Sequence, residues 1–332
     1  MNAESGKQLL VTFGKKLISN YLVLVLILTV VVGSIVSPYF LTSRNLGNIL
    51  QFSAVISIIA VGQFFVVVTG GIDLSVGSIA AFATVISAVM MAKGIPAVIA
   101  AACALGLSAL WGAVNGALVT GAKITPFVVT LATQSIVRGC AYLVQSGSLI
   151  GIYDNNFIWA FSGKTLGIPN PVILFIAVML VAAFVMHYTT FGRSLYAIGG
   201  NSESARLSGI PVKRSLLKVY TINGLLSGLG GLVLAAQLTQ GSSLLAKGYE
   251  LDTIAAVVVG GASLAGGTGG PIGSVIGGLI IYSITNIMNL LTIPSEPQMV
   301  VKGLMIILAV IMIGDGTKKG KIRRIKNPKN QQ

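Results

Sequence analysis

Eight carboxylates, one histidine and two cysteines are all that this 332-residue chain offers to acid–base, nucleophilic or metal chemistry. Their spacing assembles none of it. His187 stands alone at the expected end of an apolar helix. Cys103 and Cys140 fall inside apolar runs, where a thiol behaves as a small hydrophobe. No Ser/His/Asp set, Cys/His set or His-Glu-x-x-His occurs, which argues against an intramembrane enzyme and leaves no metal site to name. The phosphate loop Gly-x-x-x-x-Gly-Lys-Ser/Thr is also missing, so the chain lacks the usual ATP cradle, and no cofactor of its own is expected.

The chemistry left is that of polar groups inside hydrocarbon. Asp73 lies in a glycine-rich stretch, Gly70–Ser78. Either Asp73 or Ser75 is placed to cap a helix opening at Val76, and Asp73 is equally placed to line a pathway. Arg138 falls within an apolar run, where it costs about 2.5–3.5 kcal/mol at a helix centre on insertion scales. It must snorkel, pair with an acid or face a wet cavity. Asn115, Gln134, Asn286 and Asn289 join Asp73 and Arg138 as translocation-path candidates, although each serves equally well as interhelical glue. Glu250 and Asp252 open a short apolar segment, where acidic side chains favour a helix N-terminus. Ion-coupled carriers often use intramembrane acids as relays, and here Asp73 is nearly alone.

The richest polar stretch is Phe191–Tyr220. It contains a short helix with readable ends: Asn201 or Ser202 at the N-cap, Glu203 in the first turn, Arg206 near the last, Gly209 as the left-handed stop and Pro211 beyond. A charged helix of this kind between apolar runs is a part for another protein to grip.

These groups must be positioned by membrane helices. A mean hydropathy of +0.90, with 54% hydrophobic and 9% charged residues, excludes a soluble globular domain. The apolar runs do not alternate, so a barrel is excluded and an all-α polytopic membrane protein is expected. Ten spans are predicted: Tyr21–Ser37, Ile49–Thr69, Val76–Ala92, Ile95–Val119, Phe127–Val144, Val172–Met186, Val219–Leu238, Leu251–Leu264, Ile272–Leu291 and Val300–Ile313. Leu251–Leu264 is short enough to be re-entrant. The first run follows a basic stretch but lacks a clear cleavage site and reads as a retained helix. The polar segment Ser146–Asn170 should face outward and has room for a short surface helix.

Charge sets the orientation. Of the 22 Lys and Arg, fifteen lie before the first span, in the central loop or in the C-terminal tail. All three regions should therefore be cytoplasmic, which requires an even number of crossings. The expected organisation is a cytoplasmic segment 1–20, a transmembrane domain 21–314 with a cytoplasmic loop 187–218, and a basic tail 315–332 that meets anionic lipid. No aromatic residues interleave with the tail, so the net charge of +14 does not point to nucleic acid.

Glycine shapes the rest. Gly112/Gly116, Gly224/Gly228 and Gly273/Gly277 put small faces on three helices, the means by which helices associate in lipid. Gly70, Gly71 and Gly77 echo Gly266, Gly267 and Gly273 as breaks opening onto apolar runs. Such paired breaks mark gates in transporters with duplicated halves, and coincidence explains them equally well.

Several strings resemble the permease subunits of bacterial ATP-binding-cassette (ABC) sugar importers of the ribose/xylose/arabinose/galactose group. They are Val68–Ser78 (VTGGIDLSVGS), Ser37–Leu41 with Asn45-Leu46, Asn115-Gly116 followed by Pro126–Leu131, and Arg138-Gly139 with Ala141–Leu143. Phe191–Arg193 with Tyr196–Asn201, Ala205–Ile210, and Gly248–Asp252 leading into Ile254–Gly261 complete the series, which runs in order from about residue 37 to 303. Relatives often carry a second proline where this chain has Thr125 before Pro126. The resemblance implies a homodimeric or pseudo-dimeric pore in the bacterial cytoplasmic membrane. A separate cytoplasmic ATPase would bind ATP and Mg, and an extracytoplasmic binding protein would deliver a ribose-like pentose or related sugar. Ser202, Glu203, Ala205, Arg206, Leu207, Gly209 and Pro211 would form the coupling helix that meets the ATPase. The alternative is a secondary carrier that works alone on an ion gradient.

Overall fold

The computed structural model describes residues 21–305 and 307. Segment 1–20, the tail 315–332 and the far end of the last expected span lie outside the described residues. Among the described residues the chain is helical, with four two-residue strands. Helix α1 (Tyr21–Val36) leads through a tight turn to α2 (Ser43–Val68), whose N-cap Thr42 accepts the Asn45 amide. Next come α3 (Val76–Ala92), α4 (Ala97–Gly121) and α5 (Pro126–Gln145). Strand β1 (Ile150–Gly151), helix α6 (Asn155–Ser162) and strands β2 (Lys164–Thr165) and β3 (Ile168–Pro169) precede α7 (Asn170–Tyr188). Helices α8 (Thr190–Gly200) and α9 (Ser202–Leu207) form a corner before α10 (Val212–Leu238). Strand β4 (Gln240–Gly241), α11 (Tyr249–Val259) and α12 (Pro271–Leu290) follow, and residues 295–305 are helical again.

Among the described residues six helices are long and apolar enough to cross a membrane: α2, α4, α5, α7, α10 and α12. Helices α1 and α3 are apolar but shorter. The eighth expected span, short enough in the sequence to be re-entrant, is a short helix. Its helix ends at Val259, because Gly260-Gly261 turns the chain with Gly261 at φ 94°. Eleven residues reach about 16 Å, half of a bilayer core. The polar segment after α5 does contain a helix, α6, capped by Asp154 on the Phe157 amide. Strand β1 pairs antiparallel with β4, so the chain leaving α5 and the chain leaving α10 lie on one side.

Helices α2 and α10 form the centre and are buried on almost every face, whereas α5 and α7 keep most of their surface free. Packing at the centre is backbone on backbone. The small faces of α4 and α10 meet each other: a Cβ on Gly112 would strike the Tyr220 carbonyl and lie 3.1 Å from the Gly224 Cα. The Gly273/Gly277 face meets α11 and its end in the same way, at Gly260 and Ala256. With lipid outside, burial of apolar area gives helices no reason to associate, and close van der Waals contact supplies it.

Candidate functional site

The corner between α8 and α9 is built from local signals. Thr189 opens α8 by accepting the Gly192 amide at 3.1 Å. Asn201, extended at φ −162°, ends α8 and starts α9: its amide donates to the Ala197 carbonyl, and its side-chain oxygen accepts the Ser204 amide at 2.8 Å. At the other end Ile210 donates to the Ala205 carbonyl and Gly209, at φ 82°, donates to that of Arg206. This is the paired 6→1 and 5→2 closure that a left-handed residue permits. Glu203 and Arg206 form an exposed two-bond ion pair, with the shorter bond 2.6 Å. Its hydrogen bonds hold the Glu203 carboxyl below its ordinary range and raise the guanidinium. Ser202, Glu203, Arg206, Leu207 and Gly209 face outward, with Leu207 74% exposed. Ala205 is 4% exposed and seats α9 on the core.

The two glycine breaks meet. Gly267 donates its amide to the Val68 carbonyl at 2.9 Å, and a Cβ on Gly266 would lie 2.9 Å from the Gly70 amide nitrogen. Gly77 and Gly273 lie farther on: Gly77 abuts the Ala246 carbonyl and the Glu250 carboxylate, and Gly273 abuts Gly260. Gly71 packs against the Tyr220 hydroxyl and Val66.

Beside the first break lies a closed polar cell. Asp73 is fully buried. Its Oδ1 accepts the Ser75 amide at 2.8 Å and the Ser75 hydroxyl at 2.6 Å, and its Oδ2 accepts Nδ2 of Asn223 at 2.8 Å. Asn115 donates to the Ser75 hydroxyl at 2.8 Å. Neither expected cap forms: Ser75 holds the N-cap position of α3, but its hydroxyl is spent on Asp73. Asp73 and Asn115 therefore tie α3, α4 and α10 together. Asn286 is likewise occupied, exchanging both amide hydrogen bonds with Asn45 of α2 at 2.9 and 3.0 Å.

The remaining candidates stay partly open. Helix α5 carries Thr130, Gln134 and Arg138 at four-residue spacing, one face of a helix. The Thr130 hydroxyl accepts the Leu74 amide, at 3.1 Å, in the first break. Gln134 donates to Glu250 at 3.1 Å. Arg138 donates to the carbonyls of Ser243 and Leu245, the latter at 2.8 Å. Backbone carbonyls are a partner outside the three escapes expected of an intramembrane arginine. Asn289 is exposed at the end of α12 and accepts from Gln298 at 2.9 Å. Among the described residues no group of three or more His, Cys, Asp or Glu could hold a metal.

Residues 45–310 match the family described as "Branched-chain amino acid transport system / permease component". The chain belongs to this permease family. The permease is 42% identical over 291 residues to the ribose import permease protein RbsC of Escherichia coli K12, covering 86% of this chain and 91% of the relative. Bacillus subtilis RbsC is 41% identical over 289 residues, covering 86% and 90%. The D-allose transport system permease protein AlsC of Escherichia coli K12 is 38% identical over 287 residues, covering 86% and 88%. No solved structure matches the permease significantly.

Sequence reasoning missed the partners that close these polar groups. Asn223 donates to Asp73 at 2.8 Å, and Asn45 completes Asn286. Gln145 accepts the Ser243 amide at 2.7 Å, which extends the polar face of α5. Lys302 pairs with the almost fully buried Asp252 at 2.9 Å, where the sequence placed Asp252 as a helix-start acid. A polar residue inside an apolar run was the available signal, but the pairing is long-range and leaves no local trace.

Proposed function

We propose that this permease is the membrane-spanning subunit of an ATP-driven importer for a ribose-like pentose or related monosaccharide in the bacterial inner membrane. One observation carries the reading: over more than four-fifths of its length the chain is 38–42% identical to permeases named for ribose and allose, and at 38% over 82% to one named for L-arabinose. The family description names branched-chain amino acids, but these nearer relatives all carry aldose names, and they weigh more.

On this reading about ten helices enter the membrane, α11 only part-way, both termini are cytoplasmic, and two copies, or one copy and a homologous permease, enclose the path. The permease contributes no ATP site. A cytoplasmic ATPase subunit holds ATP and Mg and receives the outward face of α9, through Glu203, Arg206 and Leu207. Pro211 and Gly209 fix where that helix stops. An extracytoplasmic sugar-binding protein docks on the opposite side. A neutral sugar needs mobile polar walls more than a fitted charged site, and Gln134 and Arg138 on α5 are the half-buried groups available to form one. Specificity then resides mainly in the binding protein.

The test is uptake of labelled D-ribose and L-arabinose into proteoliposomes. ATP-dependent uptake is expected only when the ATPase and the binding protein are both present. Uptake by the bare permease on a sodium or proton gradient would overturn the reading in favour of a secondary carrier.

A further inference from the structure

We infer that Tyr196 and Gly199 on α8 carry displacement of the coupling helix into both glycine breaks at once. The inference rests on the reading of α9 as the contact for the ATPase, and adds where the movement goes. Helices α8 and α9 share a single joining residue, Asn201, whose amide closes one helix and whose side chain and carbonyl open the other. No flexible linker separates them, so a push on α9 turns α8 with it.

The far side of α8 is set against the breaks without intervening side chains. Gly199 lies so close to the Val68 carbonyl and the Gly267 amide nitrogen that a Cβ would strike both. From the other side, a Cβ on Gly266 would lie 2.9 Å from the Gly199 carbonyl and 2.9 Å from the Gly70 amide nitrogen. One turn earlier, on the same face, Tyr196 donates its hydroxyl to the Gly269 carbonyl at 2.8 Å. Leu195 and Ile198 bury the rest of α8 in the core cluster that contains Val68, so the helix cannot slide free of the contact. The end of α2, the start of the first break and the loop between α11 and α12 thus touch one turn and a half of α8. Side chains between two helices absorb small movements by changing rotamer, whereas backbone against backbone has none to change. The loop being pushed has left-handed glycines at 261, 266, 267 and 269 and so has the backbone freedom to respond. Tyr196 and Gly199 are positioning residues in this scheme and touch neither sugar nor nucleotide.

The experiment uses the permease assembled with its ATPase in lipid nanodiscs. A cysteine at Ser204 is first crosslinked to the ATPase. Hydrogen exchange is then followed at 66–72 and 263–270, with and without vanadate-trapped ATP, in the unaltered permease, Tyr196→Phe and Gly199→Ala. The unaltered complex should change protection at both breaks. Tyr196→Phe should keep the crosslink, assembly and basal ATP hydrolysis. Its nucleotide-dependent change at 263–270 and its sugar uptake per ATP should fall about threefold to tenfold, the range set by loss of one hydrogen bond. Gly199→Ala should weaken the response at both breaks. If the crosslink forms and the breaks of the unaltered complex ignore nucleotide, the inference fails and the role of α9 stands. The inference also fails if Tyr196→Phe responds as the unaltered complex does. If no crosslink forms, the role of α9 fails and takes the inference with it.

Discussion

The corner at α8 and α9 closes its polar groups with residues three to five positions away, as in Thr189 with Gly192, Asn201 with Ser204 and Ala205 with Ile210. The Asp73 cell closes across 40 residues to Asn115, 56 to Thr130 and 150 to Asn223. The corner presents its charges outward, and the cell withdraws its charge from the surface. In an apolar chain, polarity that is locally satisfied and exposed marks a surface for recognition. Polarity that is buried and paired across distant parts of the chain marks a place where the fold itself is specified.

The contrast is most exposed to attack at Asp73. Asp73→Ala leaves the Ser75 and Asn223 donors without an acceptor, and each orphaned buried group costs about 1–3 kcal/mol. Purified yield and thermal unfolding in detergent should fall sharply, with Asp73→Asn less affected. An alanine variant as stable as the unaltered chain would show that the cell specifies nothing.

The ion pair of Asp252 and Lys302 is the next test of buried polarity. Lys302→Met strands a carboxylate that is 2% exposed and should destabilise by about 3–5 kcal/mol. Adding Asp252→Asn should recover part of that loss in the same unfolding assay. No recovery would mean that the pair acts through packing alone.

The corner should behave in the opposite way. Gly209→Val forces a branched side chain into the left-handed region, at about 1–2 kcal/mol or more. Membrane insertion should survive while transport-coupled ATP hydrolysis drops several-fold. Equal losses in both would make the corner structural. The smallest change is expected from Glu203→Gln, because the pair with Arg206 is fully exposed and screened. Its unfolding temperature should match that of the unaltered permease. The carboxyl is held below its ordinary value, so the slight stability it adds is present above the unfolded pKa and is lost as pH falls through the folded one. A marked loss of stability at neutral pH in the glutamine variant would contradict the assignment of this face to recognition.

These differences also explain what the sequence disclosed. The corner was readable because caps, the left-handed Gly209 and the trailing Pro211 are written within a dozen residues. The helices were readable because hydrocarbon leaves backbone no other way to satisfy itself. Helix α11 was the exception: its apolar run extends to Leu264, yet Gly260-Gly261 ends the helix at Val259, and apolar composition alone does not show a turn. Asp73 was visible as a charge in an unusual place, but Asn223 looked like any polar residue in an apolar helix. Asn286 was placed on the path for the same reason, although Asn45 had already claimed it. The GxxxG faces were legible as small faces, whereas the fact that Gly112 meets Gly224 was not. Composition shows which groups must find partners, and only the fold shows which partners they find.

The account depends most on α9 facing the cytoplasm. Single cysteines at Ser202, Glu203, Arg206 and Leu207 can be treated with a membrane-impermeant maleimide in intact cells and in inside-out vesicles. Labelling is predicted only in the inverted vesicles, and bound ATPase should suppress it. Labelling of those positions in intact cells would place the helix on the wrong side of the membrane and contradict the account.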